Sequence, residues 1–303
     1  MINYFKKTVK DQSIRSISGM EIGSWVNVSD PSEKEIDYLA KKFNLDKRNL
    51  ESGLDQNEIP HLDFVDNNIY FFSKNALLKH RKDIETYLIV ITKNFILTLS
   101  KTEPRFVKKI LNGEVEFITT QKLKCLIELF SLVNDSFEKL TDDVVKMVQI
   151  QKKSSIELEE KQLNILLEQE DVLNSLVSVY YYMDRLYEKT VRKIKFFEQD
   201  KEILEDLMTE STQGLNLCKS SLKGISNTRS YYVIFLSNKL NKILTILTVF
   251  TIVISIPAAI SGLYGMNVLL PYSGSHYIFY YLVMIVVVVW IGFIFFLKKK
   301  KIL

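Results

Sequence analysis

The chain has 303 residues, a formal net charge of +4 from 40 Lys and Arg against 36 Asp and Glu, and two cysteines. Charge this mixed, with no aromatic–basic patch, excludes a nucleic-acid-binding surface. Two distant cysteines exclude a disulfide scaffold, and Cys125 and Cys218 read as reduced interior residues of a cytosolic region. The N-terminal MINYFKKTVKDQ has no apolar core, so no cleaved leader is expected.

Residues 1 to about 115 read as a mixed α/β domain. Trp25–Val28 is a strand candidate. Ser29-Asp30-Pro31 then opens a helix, with Asp30 as expected N-cap and Pro31 in the first turn; Ile36, Leu39 and Phe43 share its inner face. A short helix follows at Lys47–Gly53. The β-branched and aromatic runs Ile69–Phe72, Thr86–Ile91 and Phe95–Leu99 predict adjacent strands, with a tight turn at Lys93-Asn94.

From about residue 116 to 200 the pattern is helical, and no proline occurs between Pro104 and Pro257. Leu123, Ile127, Phe130, Val133 and Phe137 recur at steps of three and four, as do Leu166, Leu173, Leu176 and Tyr180 at heptad-compatible steps. Two long antiparallel helices packed on the sheet domain are expected. A third helix begins near Lys201 and carries one register through Leu204, Leu207, Leu215, Cys218, Leu222, Ile225, Tyr232, Leu236, Leu240, Ile243 and Leu247. It predicts a stalk (201–242) continuous with the apolar segment beyond it, able to pass movement along a single rod.

No Asp, Glu, Lys or Arg lies between Lys242 and Lys298. Residues 243–263 and 277–297 are each about long enough to cross a bilayer, with a loop at 264–276 between them. Pro257 interrupts the first span, which membrane helices tolerate. Trp290 is expected near the inner end of the second span, which reads as lipid-facing on most sides. Lys239 and Lys242 precede the first span, Lys298 to Lys301 follow the second (298–303 forming a basic tail), and the loop has no basic residue. The positive-inside rule then predicts both termini in the cytoplasm of an integral plasma-membrane protein. The lysines also suit anionic lipid.

The first span carries a stripe: Asn241, Leu244/Thr245, Thr248, Thr251, Ser255, Ala258 and Gly262. Small and hydroxyl residues also serve helix–helix packing, but a whole stripe ending at Gly265-Met266-Asn267 favours a water-containing path. One such helix cannot enclose a path, so the chain must oligomerise. A neutral lining suits magnesium, which keeps its water shell. Asn267 offers an amide oxygen at the mouth, and Gly265 is expected to let the backbone turn carbonyls inward; an ordinary helix cap is the plain alternative for Asn267. Leu240, Leu244 and Leu247 would close a hydrophobic gate by dewetting. With no GxxxxGK[ST] loop and no nucleophile–base set, neither an ATPase nor another enzyme is expected. A divalent ion gains about 4.6 kcal/mol per 100 mV of inside-negative potential, which suffices for uptake.

Tyr264-Gly265-Met266-Asn267 closing the first of two C-terminal spans, with a basic tail after the second, resembles the CorA family of magnesium transporters; WVNVSDPSEKEIDYLAKKFNL is similar to the opening of its cytosolic domains. The resemblance implies an α/β cytosolic domain, a long helical stalk, two transmembrane helices and a homopentameric channel. It implies that Gly265, Met266 and Asn267 form an external selectivity ring, that Asn241 is an inner-pore asparagine, and that Leu244 stands where many members carry methionine. It also implies regulatory divalent-ion sites between subunits, which an ungapped match puts at Asp206, beside Glu205. Asp63, Asp66 and Glu85 are candidates for the partner ligand. Residues 268–276 contain no acid, where many members have one or more, so Co²⁺, Ni²⁺ or Zn²⁺ stay open beside Mg²⁺. His61, His80 and His276 show no zinc spacing and read as structural or solvated. The alternatives are a zinc transporter of the ZntB type and a membrane-tethered helical scaffold without transport.

Overall fold

A computed structural model describes residues 1–77, 84–153, 160–268 and 274–299, and His80, Lys300 and Lys301 lie outside the described residues. The described chain forms two compact units, Met1–Thr228 and Arg229–Leu303.

In the first unit, alternating apolar residues build a seven-stranded mixed sheet. Its strands are β1 (Ile2–Lys6), β2 (Arg15–Ser16), β3 (Trp25–Ser29), β4 (His61–Val65), β5 (Asn68–Ala76), β6 (Ile84–Ile91) and β7 (Ile96–Ser100), in spatial order β2-β1-β3-β7-β6-β5-β4. Among the described residues only β3 and β7 run parallel, with Trp25 opposite Ile96; the other neighbours are antiparallel. The pleat sends Val26, Val28, Tyr70, Phe72, Leu88, Val90, Leu97 and Leu99 to one face, where Ile36, Leu39 and Leu50 cover them. These last three come from α1 (Glu33–Phe43) and α2 (Lys47–Ser52). The opposite face presents Trp25, Phe71 and Tyr87, which meet Phe117, Phe130 and Phe106 edge-on or tilted. Phe106 lies on α3 (Arg105–Leu111) and Phe130 on α4 (Lys122–Lys153). Phe130 in turn packs on Tyr187 of α5 (Glu160–Lys193).

The α1 boundary departs from expectation. Its N-cap is Ser32, whose hydroxyl accepts the Glu35 amide while the Ser32 amide donates to the Glu35 carboxylate at 2.9 Å, a reciprocal box. Asp30 has φ 46° and its amide donates to Ser100 O at 3.0 Å, so it closes the β3–β7 end and does not cap the helix. Strands β1, β2 and β4 and helix α3 are additions to the predicted elements.

Helix α6 runs from Glu198 to Tyr264 and contributes to both units. In the first unit its buried ridge is Leu204, Leu207, Ser211, Cys218, Ser221 and Ile225. Leu215 and Leu222, which share the predicted register, are half-buried. Beside this ridge, Gly214 leaves room for the ring of Tyr180. Helix α7 spans Ile278–Lys299.

Candidate functional site

Among the described residues, two helices, α6 and α7, are long and apolar enough to cross a membrane. Within the second unit, exposure separates two faces of α6. The half-buried positions from Ile243 onward are Thr245, Val249, Ile252, Val253, Ile256, Pro257 and Ile260. At 100° per residue they form one stripe. On α7 the corresponding covered positions are Ile278, Leu282, Val286, Trp290, Phe293 and Leu297. These two stripes are the seam between the helices. A polar bond crosses it: Trp290 Nε1 donates to the Val253 carbonyl at 3.1 Å. Trp290 is therefore half-buried and engaged with α6. The sequence held a signal for this bond, since Pro257 deprives the Val253 carbonyl of its helical donor.

Asn241, Leu244, Thr248, Thr251, Ser255, Ala258 and Gly262 are all exposed; helical geometry turns Leu244, Thr251, Ser255, Ala258 and Gly262 away from the seam, whereas Asn241 and Thr248 flank it, Asn241 about 40° around the helix from Thr245. Thr245, the other reading at the 244/245 step, lies on the seam side. The hydroxyls bond back along the helix: Thr248 to Leu244 O at 2.8 Å, Thr251 to Leu247 O at 2.9 Å and Ser255 to Ile252 O at 3.1 Å. Each hydroxyl thereby uses its single proton on the backbone. What its oxygen still offers is lone-pair density, which suits a hydrated cation and not an anion. Leu240, Leu244 and Leu247 are 60%, 57% and 60% exposed and sit one helical turn apart in sequence steps of four and three.

Helix α6 ends at Tyr264. The Gly265 amide still bonds to Ser261 O at 2.9 Å, the Met266 amide reaches Leu263 O at 3.4 Å, and Gly265, Met266 and Asn267 are exposed. Gly265 does not take the left-handed backbone expected of a turn glycine. An added Cβ would stand 3.2 Å from Ser261 O, a tight contact that a few tenths of an ångström of movement relieves. Asn267 is likewise outside the left-handed region, so it is not a left-handed helix cap.

In the first unit, Asp206 is exposed on α6, and Glu205 pairs with Lys201 at 3.3 Å. Asp63 lies 3.6 Å from His61, and Asp66 is exposed in the β4–β5 turn. Glu85 is buried and its carboxylate accepts from the Thr102 amide and hydroxyl at 3.0 and 3.1 Å, one bond on each oxygen. Among the described residues, no three His, Cys, Asp or Glu side chains gather as a metal-ligand set. His61 stacks on Phe72 with ring centroids 4.2 Å apart, and His276 is exposed.

The family model described as CorA-like Mg²⁺ transporter protein matches residues 21–299. The cobalt/magnesium transport protein CorA of Methanocaldococcus jannaschii is 23% identical over 297 residues, covering 91% of this chain and 90% of that protein. The complete structure of the CorA magnesium transporter from the same organism superposes with a TM-score of 0.86 at 17% identity, over 99% of this chain and 98% of that one. The ZntB cytoplasmic domain of Vibrio parahaemolyticus superposes with a TM-score of 0.65 at 8% identity, over 78% of this chain and 98% of that domain. The fold is thus common to proteins named for different metals. With the two apolar helices, the Gly-Met-Asn at the end of α6 and a family match over nearly the whole length, the chain belongs to the CorA-like Mg²⁺ transporter family.

Proposed function

We propose that this chain is one subunit of an oligomeric, channel-type transporter that carries Mg²⁺ and the related divalent ion Co²⁺ across a membrane. The observation that carries this reading is the exposed, uncharged stripe on α6 from Asn241 to Gly262, most of which turns away from the α7 seam and which ends at Gly265-Met266-Asn267. Hydroxyl and small side chains gain nothing from lipid. Turned to a central axis by several copies, here proposed as a pentamer, they line a path whose oxygens accept hydrogen bonds from the water shell of a cation. Mg²⁺ dehydrates reluctantly and retains several waters, so a neutral lining of acceptors can pass it without replacing that shell. A ring of Asn267 amide oxygens would select the hydrated ion at the outer mouth.

Leu240, Leu244 and Leu247 on the same face would close the inner end by dewetting. Both termini are assigned to the cytoplasm, where the membrane potential drives inward flux. Feedback is assigned to intracellular Mg²⁺ bridging carboxylates of neighbouring subunits, with Asp206 as the exposed ligand and Glu205 beside it.

The test is Mg²⁺ flux into liposomes containing the purified oligomer, with Asn267→Ala alongside and internal Mg²⁺ varied. Flux that disappears in the variant and falls as internal Mg²⁺ rises is the expected result. Flux of Zn²⁺ without Mg²⁺ would move the protein to the ZntB type. No divalent flux from an assembled oligomer under an inside-negative potential would leave a membrane-tethered scaffold.

A further inference from the structure

Pro257 has no amide hydrogen, so the Val253 carbonyl, four residues earlier, has no donor within α6. In hydrocarbon an unpaired carbonyl is costly and must find a partner. Trp290 Nε1 supplies it from α7 at 3.1 Å. The other α7 seam residues, Ile278, Leu282, Val286, Phe293 and Leu297, carry no side-chain N–H or O–H. Nor is Trp290 an interfacial anchor: eight residues, about 12 Å of helix, separate it from Lys298.

We propose that Trp290 is a positioning residue for the transport path. Its indole stands in for the amide that Pro257 lacks and fixes the rotation of α6 against α7 at the point where the α6 ladder is broken. Ser255 lies two residues beyond Val253, about 200° around the helix. Holding the Val253 carbonyl on the seam therefore keeps Thr251, Ser255 and Ala258 on the opposite face. The bond requires no assumption about transport; its role in positioning the path rests on the function proposed above.

The experiment compares wild type, Trp290→Phe, Pro257→Ala and the double variant as assembled oligomers in liposomes. Trp290→Phe keeps an aromatic ring and removes the donor, and Mg²⁺ flux should fall about tenfold, equivalent to about 1.4 kcal/mol. Pro257→Ala returns an amide to the Val253 carbonyl, so the double variant should flow within about twofold of Pro257→Ala alone. If Trp290→Phe does not assemble, the same rescue is read on assembly. A double variant no better than Trp290→Phe would mean that the ring acts only by bulk, and the proposal falls. The ultraviolet resonance Raman difference between Pro257-containing chains with and without Trp290 reads the indole N–H directly. A free N–H there overturns the proposal whatever the flux. A bonded indole in a wild-type chain that moves no divalent ion would overturn the transport reading instead, and the positioning role with it.

Discussion

Gly214 of α6 lies directly against the ring of Tyr180 on α5: a Cβ at position 214 would meet Tyr180 Cζ and stand 2.6 Å from its Cε1 and 2.8 Å from its hydroxyl oxygen. The ring cannot easily retreat. Its hydroxyl is 3.0 Å from Thr141 Oγ1, and Phe137 packs edge-on against it. Gly214→Ala should therefore destabilise the protein, because overpacking a filled core costs about 1–3 kcal/mol and outweighs the gain of about 1 kcal/mol in helix propensity. A lower unfolding midpoint of the solubilised chain is expected. A raised midpoint would mean that Tyr180 swings aside.

Stability should also carry an acid limb from Glu35. The Ser32 amide holds the Glu35 carboxyl below its usual range, with the Met1 ammonium 3.5 Å away as a lesser cause. A depressed folded-state pKa stabilises above the unfolded value of about 4.3 and is lost as the pH falls through the folded value. The wild-type chain should exceed Glu35→Gln in stability at neutral pH, with the gap closing on acidification. A gap independent of pH would exclude the carboxylate as its source.

The two faces of α6 make opposite predictions for one chemical change. Thr251→Val on the exposed stripe removes an acceptor oxygen and should reduce Mg²⁺ flux about tenfold. Thr245→Val, on the seam side, should leave flux within about twofold of wild type, because its oxygen faces no path. Equal effects at both positions would argue against the assignment of the lining face.

Asp206 is exposed, so Asp206→Asn should alter stability by no more than about 0.5 kcal/mol. If it ligates regulatory Mg²⁺ between subunits, the internal Mg²⁺ concentration for half-inhibition should rise at least about fivefold. Liposomes with internal Mg²⁺ varied measure this. Unchanged inhibition would remove Asp206 from the sensor.

Topology can be read by thiol labelling with little background. Cys125 and Cys218 are 1% and 0% exposed, and burial raises both thiols, Cys218 to about 11. Both are thus poor nucleophiles at neutral pH. Ser275→Cys should react with an impermeant reagent added outside intact cells. Reaction only after the membrane is opened would reverse the orientation.

Much of the first unit was legible because its strands and helices state their period in apolar residues. Ile69–Phe72 and Thr86–Ile91 each fall within an observed strand, as does Phe95–Leu99 from its second residue, and Leu166, Leu173, Leu176 and Tyr180 are buried along α5. The α1 cap was misassigned because Asp30 and Ser32 are both good capping residues in isolation. Only the reciprocal Glu35 bond and the left-handed Asp30 backbone separate them. On α6, periodicity marks large apolar residues such as Leu215 and Leu222, which are half-buried, and passes over Ser211 and Ser221, which are buried, and Gly214, which makes room for the Tyr180 ring.

Sequence alone determined that two uncharged spans end the chain, that a polar stripe runs along the first, and that Gly-Met-Asn follows it. Each depends only on residue order and helical period. Tertiary structure decided which face of α6 meets α7, that Thr245 belongs to that seam while Leu244 does not, and that Trp290 bonds the carbonyl released by Pro257. Such choices depend on which surfaces of two helices come together, and nearly uniform runs of Leu, Ile and Val carry too little contrast to specify that from one dimension.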